Sequence, residues 1–236
     1  MLLSSCLSAA FAQAPVLTVA AASDLIDIKG SLTEAFAAKP GARLRFTFGA
    51  SGALARQIAS GAPYDVFLSA DEGRIKELAA AGDLVSDSIE VYALGRIALW
   101  SKGGAAKSLS GLQAAKILHI AIANPGHAPY GAAARQALEK AGLWQKLERK
   151  IVYGESVRQA LEYAESGNAD AAITAWSLVV HRGGILLPSE LHNPIRQAGA
   201  VVRSSRNQPA ARAFLRFLLS PEGRRLLESG GFVTPR

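Results

Sequence analysis

The feature that most constrains this chain is an alternation. Short apolar runs of strand character are each followed by a small-residue turn and then by apolar residues at helical spacing. Residues 17–22 are such a run, and Leu25, Ile28, Leu32 and Phe36 then mark a helix that Pro40-Gly41 stops. Residues 43–48 alternate, with Leu44, Phe46 and Phe48 on one face. Gly49-Ala50-Ser51 turns the chain into a helix through Leu54, Ala55 and Ile58, closed by Gly61. Residues 65–69 form the next strand, and Asp71 caps a helix through Ile75 and Leu78 that ends at Gly82. The rhythm returns with a strand at 117–123, a loop at 124–130 and a helix at 132–141 closed by Gly142. A strand at 150–153 then precedes a helix opened by Ser156 and closed by Gly167, and residues 169–175 form another strand. Two longer extended segments, at 89–100 and 195–203, interrupt the pattern, and two amphipathic helices at 209–219 and 221–229 end it. Strand–helix alternation predicts parallel sheets with helices on both faces. The two extended segments predict crossings that divide the chain into two lobes connected twice.

Half of the 236 residues are hydrophobic and 19% are charged, which excludes a disordered chain. The net charge of +7 is spread: the longest basic run is Arg224-Arg225. Spread charge points weakly to an anionic ligand and more weakly to nucleic acid. Residues 1–14 carry no charge and end in small residues, the pattern of an export signal. Cleavage after Ala12 fits best, with Ala14 as the alternative; residues 1–12 are the expected signal peptide. Leu3-Ser4-Ser5-Cys6 resembles a lipoprotein box, but little apolar chain precedes Cys6, so a lipid anchor is the minor reading. Cys6 is the only cysteine, so cleavage removes thiol chemistry from the mature protein.

One local pattern recurs where chemistry could sit: strand, small-residue turn, hydroxyl or glycine, helix. It occurs at Ala22-Ser23-Asp24, at Gly49-Ala50-Ser51-Gly52, at 125–131 and at Gly154-Glu155-Ser156-Val157. Each places unpaired backbone N–H groups, and roughly half a positive charge, at a helix start. Ser and Asp are good caps, so a single turn says little. Four such turns at strand ends of an α/β chain point to a small anion held by neutral donors.

Other constellations fail. His119, His127, His181 and His192 show no metal-ligand spacing. The Gly49–Ala53 stretch misses the nucleophile elbow, because glycine follows Ser51 by one residue rather than two. No phosphate-loop or dinucleotide glycine motif occurs. Asp65 and Asp71 read as structural, Arg56 as a solvated face residue, and Tyr130 and Trp176 as residues near strand ends that could line a cleft.

At these turns the sequence resembles the molybdate-binding periplasmic components of ABC importers. The stretches that carry the resemblance are Val19-Ala-Ala-Ala-Ser23-Asp-Leu25, Phe48-Gly-Ala-Ser51-Gly-Ala-Leu-Ala-Arg-Gln-Ile58 and Gly61-Ala-Pro-Tyr-Asp-Val-Phe-Leu-Ser-Ala-Asp71. Ala123-Asn-Pro-Gly-His-Ala-Pro-Tyr-Gly131 and Gly154-Glu-Ser-Val157-Arg-Gln-Ala-Leu161 follow in order. The resemblance implies an α/β, two-lobed, type II binding-protein fold, each lobe a mainly parallel sheet flanked by helices. It places residues 15–92 with 200–236 in one lobe and 93–199 in the other, with molybdate or tungstate in the cleft. Oxyanion contacts carry over to Ser23 and Ser51 through hydroxyl and N–H, and to backbone N–H groups at Asp24, Ala128, Tyr130 and Val157. Ala175 stands where some relatives supply a tyrosine, and Tyr130 is the candidate substitute. Asp24 is awkward beside a dianion; its backbone can bind while its carboxylate turns away. The resemblance further implies a periplasmic monomer, no cofactor, no direct ligand to the metal and no catalysis, serving a permease with its ATPase and no nucleic acid. The rival readings are a binder of sulfate, phosphate or another small anion, of which a phosphate site should supply a carboxylate acceptor with Asp24 the only candidate inside the motifs, an enzyme on a phosphorylated substrate, and the sensing domain of a regulator.

Overall fold

The computed structural model describes residues 15–38 and 42–235. The export signal, Cys6 and the Pro40-Gly41 helix stop lie outside the described residues.

Ten strands and nine α-helices are described. In the first half are β1 (Val16–Ala22), α1 (Lys29–Ala37), β2 (Arg43–Gly49), α2 (Ser51–Ala59), β3 (Val66–Ser69), α3 (Glu72–Ala80) and β4 (Glu90–Gly95). Then come β5 (Ile97–Ser101), β6 (Ile120–Ala123), α4 (Pro129–Lys140), α5 (Trp144–Leu147), β7 (Ile151–Gly154) and α6 (Val157–Ser166). The chain ends with β8 (Ala171–Ala175), α7 (Trp176–Val179), β9 (Ile185–Leu186), β10 (Ile195–Val201), α8 (Gln208–Leu219) and α9 (Pro221–Ser229). The helix expected to begin near Leu25 starts instead as a 3-10 turn, Ser23–Ile28, and becomes α-helical at Lys29.

The strands form two five-stranded sheets, one per lobe, ordered β2-β1-β3-β10-β4 and β7-β6-β8-β5-β9. β1 pairs parallel with β2 and β3, and β6 pairs parallel with β7 and β8. The strands that carry the crossings run the other way. β10 is antiparallel to β3 and β4, and β5 is antiparallel to β8 and β9. The sheets are therefore mixed rather than parallel throughout, because a chain that enters a lobe by crossing from the other arrives against the βα direction.

The extended segment expected at 89–100 is two strands in different sheets. Arg96 separates them, and its carbonyl accepts the Trp176 N–H at 2.8 Å. Period-two patterning continues through that residue, so it cannot show where the chain changes sheets.

In the first lobe, Phe36, Phe46, Phe214 and Phe217 pack with ring centroids 5.2–6.4 Å apart, seating α1 and α8 on β2. Each such aromatic pair contributes about 0.5–1.5 kcal/mol beyond burial. The second lobe packs alanines closely against its sheet. A Cβ on Gly131 would overlap the carbonyl of Ala123, so α4 starts hard against the end of β6. The core of this lobe continues across the cleft into Ala22, Ala50 and Ala70. Among the described residues no helix is long and apolar enough to cross a membrane.

Candidate functional site

The carboxyl ends of β1, β2 and β3 face those of β6 and β7 across the cleft, where open α/β sheets place their ligands. Between them lies a cavity lined from one lobe by Ala22, Ser23, Asp24, Gly49, Ala50, Ser51 and Ala70, and from the other by Ala128, Pro129, Tyr130 and Val157. The six residues singled out from sequence are thus brought to one place. The cavity volume is ≈ 10 Å³, about the space of one water molecule and far below the roughly 300–1,000 Å³ of sites for larger organic ligands. Ala70 and Pro129 also line an outer groove of ≈ 410 Å³, which places the cavity next to solvent.

The donors at this cavity follow from how each helix begins. The first four N–H groups of a helix have no partner within it. In α2, Gly52 N–H donates across the cleft to the His127 carbonyl at 3.0 Å, and Leu54 N–H donates to Ala50. The N–H groups of Ser51 and Ala53 are left, and Ser51 is the one that lines the cavity. In α6, the Ser156 hydroxyl accepts the Gln159 N–H and the Ser156 carbonyl accepts that of Ala160, which leaves Val157 and Arg158, of which Val157 lines the cavity. In α4, Pro129 has no N–H and Gly131 donates to Ala128, so Tyr130 N–H remains. Ala128 N–H closes a turn onto the Asn124 carbonyl at 3.0 Å, so this loop offers its donor at Tyr130 rather than at Ala128.

Two hydroxyls join these amides. Ser51 Oγ accepts the Ala70 N–H at 2.9 Å, which leaves its own proton to donate. Ser23 is buried, and its hydroxyl has no protein partner among the described residues. No lysine or arginine lines the cavity. The result is a set of neutral donors at three helix N-termini and one 3-10 turn, suited to a compact anion.

Asp24 is the exception. It is 1% exposed. Its Oδ2 accepts from the Tyr130 hydroxyl at 2.8 Å and from Gln197 Nε2 at 2.6 Å. Gln197 in turn accepts the Tyr92 hydroxyl at 3.1 Å. Oδ1 has no hydrogen-bond partner. Burial pushes the Asp24 carboxyl up from 3.8 to about 6, and the donors from Tyr130 and Gln197 only partly oppose this. Burial and the nearby Asp24 push the hydroxyls of Tyr130 and Tyr92 well above the ordinary tyrosine value, so both stay protonated donors. The Tyr130 hydroxyl is committed to Asp24, so its amide is what it offers the cavity.

The lobes meet through more than this network. Ser177 Oγ donates to the Asp24 carbonyl at 2.8 Å, and Arg182 reaches Asp27 at 3.0 Å. Gly95, beside the first crossing, leaves room for the Tyr130 hydroxyl, which any Cβ there would strike. Gln197, Tyr92 and Ser177 escaped the reading of the sequence. Gln197 carried a signal, as the one amide in the otherwise apolar β10 after Arg196, and the structure buries it fully.

Several residues considered from sequence lie elsewhere. Asp71 caps α3 by accepting the Gly73 N–H, and Asp65 accepts from Thr18 N–H, Ser205 and Asn207. Trp176 opens α7 against Gly231, outside the cavity lining. His127 is turned toward Glu155, with Nε2 3.3 Å from its carboxylate. No cluster of metal-ligating side chains occurs among the described residues.

Comparison with known proteins agrees with this geometry. Residues 17–233 match the family described as bacterial extracellular solute-binding protein. The chain is 38% identical to the molybdate-binding protein ModA of Rhodobacter capsulatus over 203 residues, 84% of this chain and 81% of that one. It is 34% identical to ModA of Azotobacter vinelandii over 234 residues, 96% and 93% of the two chains. The solved structure of the Azotobacter vinelandii periplasmic molybdate-binding protein superposes with a TM-score of 0.88 at 31% identity, covering 93% of this chain and all of that one.

Proposed function

The chain belongs to the bacterial extracellular solute-binding proteins, and from that membership we propose that it captures molybdate in the periplasm and hands it to an ABC importer. The observation that carries this is the cavity itself: a compact space where amides and hydroxyls from both lobes converge without a cation. Ser23 and Ser51 donate through their hydroxyls, and Ser51, Tyr130 and Val157 through backbone N–H. They contact the oxygens of the ligand, so none is a ligand to the metal.

Neutral donors suffice because a hydrogen bond to a charged group contributes about 1.5–3 kcal/mol and strengthens when water is excluded. Size sets the preference. The lobes must part slightly from this spacing to admit a tetrahedral oxyanion, and the separation at which every donor reaches an oxygen sorts molybdate and tungstate, which are alike in size, from the smaller sulfate. Gly52 and His127, Ser177 and Asp24, and Arg182 and Asp27 join only when the lobes meet, so the closed shape reports occupancy to a permease with its ATPase. The chain works as a monomer, exported by its leader, and binds without catalysing a reaction.

Calorimetric titration of the mature, anion-free protein with molybdate, tungstate, sulfate and phosphate tests this. The expected result is tight one-to-one binding of the first two, with the others silent. Binding of sulfate or phosphate with no response to molybdate would overturn it.

A further inference from the structure

A carboxyl group with a free oxygen is out of place in an anion site. Asp24 lines the cavity, is buried, and meets no ion pair among the described residues. Two unlike charges can share such a space; two negative ones cannot both persist without water. We propose that Asp24 takes up a proton as the oxyanion enters, so that the site captures the dianion together with one proton. This rests on the oxyanion reading above.

The hydrogen bonds say where the proton goes. Oδ2 already accepts two donors, Tyr130 and Gln197, and fits the carbonyl oxygen of a neutral acid. Oδ1 has no partner at hydrogen-bond geometry among the described residues, and the nearby N–H groups of Asp24 and Leu25 favour its charge less than burial opposes it, so Oδ1 receives the proton from bulk solvent. An O–H on Oδ1 has no acceptor in the protein, and the oxygens of the ligand supply one. Asp24 thereby changes from a repelling charge into one more donor.

The groups facing Asp24 do not replace this role. From α4 and β4 come the hydroxyls of Tyr130 and Tyr92, from β10 the neutral Gln197, and from α7 Ser177. On its own turn Asp27 is paired with Arg182. From α6, Arg158 is engaged by Glu162 and Glu165 through Nε and Nη2, and its buried Nη1 has no hydrogen-bond partner among the described residues. Lys29 and Glu34 of α1 and Arg43 and Arg45 of β2 are exposed, and β1 carries no charged residue. Two titratable rings remain: His127, in the loop before α4 and against Glu155, and His181, which follows α7 and lines a surface groove with Asp27 and Ser177.

The test is the molybdate affinity of the mature chain between about pH 6 and about pH 8, with the proton count read calorimetrically in two buffers of different ionisation heat. One linked proton lowers affinity roughly tenfold per pH unit across that range, and about one proton is taken up per molybdate bound near pH 8. Asp24→Asn binds with no such slope, and His127→Gln keeps it. A flat wild-type profile with no proton uptake would overturn the proposal while leaving oxyanion capture standing. So would a slope that survives in Asp24→Asn and vanishes in His127→Gln. Wild-type protein that binds no oxyanion at any pH would overturn both. If Asp24→Asn fails to fold, the wild-type proton count and the His127→Gln profile still decide the matter.

Discussion

Gly52→Ala separates closure of the cleft from stability of the fold. A Cβ built on Gly52 lies 2.9 Å from both the Cβ and the carbonyl oxygen of His127 in the opposite lobe. Ordinary contact between such atoms begins at about 3.5–4.0 Å, so the two segments must part by roughly 0.5–1 Å. The Gly52 N–H to His127 bond, now 3.0 Å, would then stretch beyond bonding distance. Losing it costs about 0.5–1.5 kcal/mol, and relieving the overlap costs about 1–3 kcal/mol. Together that is about 1.5–4.5 kcal/mol against the closed state, or a loss of affinity of roughly 10- to 1,600-fold. The helix itself does not object, since alanine is a better helix former than glycine by up to about 1 kcal/mol. The variant should therefore melt no lower than wild type without ligand, gain much less in Tm when molybdate is added, and bind weakly by calorimetry. Wild-type affinity in Gly52→Ala would refute the claim that this contact belongs to the ligand-bound, closed form.

Three more outcomes follow from the same geometry. Ser51→Ala removes a donor to the ligand and leaves the Ala70 N–H without its acceptor, so affinity should fall more than tenfold and stability by about 1–3 kcal/mol, checked by titration and denaturant melts. Asp24→Asn should favour closure of the lobes at neutral pH without ligand, read as compaction by small-angle scattering. In the closed form the carboxyl titrates near 6 against 3.8 when exposed, so closure keeps a proton that the open form sheds; closure weakens as pH rises through that window, by up to about 3 kcal/mol, and the variant's gain should shrink as pH falls toward 4. Arg182→Ala should weaken ligand binding by less than about 1 kcal/mol, with added salt reproducing the effect in wild type, because this interlobe pair with Asp27 is partly exposed.

How much of the site could be read in advance depends on the kind of signal each residue carries. Ser51 and Ser156 stand at the junction of a strand pattern and a helix pattern, so the chain itself shows that each opens a helix. Which amides then stay unpaired was not legible. Ala128 and Tyr130 are both in the loop before α4, yet Ala128 spends its N–H on Asn124 while Tyr130 does not. That difference depends on the turn taken by residues 124–128. The Tyr130 hydroxyl was a reasonable candidate for the ligand until Asp24 and Gln197, 106 and 67 residues away, claimed it.

Local structure was legible in the order of residues: strand–turn–helix units with hydroxyl caps, an α/β architecture, and a family resemblance carried by those same turns. These are short-range properties, set by side-chain period, capping and backbone preference within a few residues. The tertiary structure alone decided the rest. It put the two crossing strands antiparallel to their neighbours, split 89–100 between two sheets at Arg96, and drew Tyr92, Tyr130, Ser177 and Gln197 around one buried carboxyl. Partners of that kind are chosen by packing across a cleft, and their energies depend on how completely water is excluded from it, which no local pattern of residues encodes.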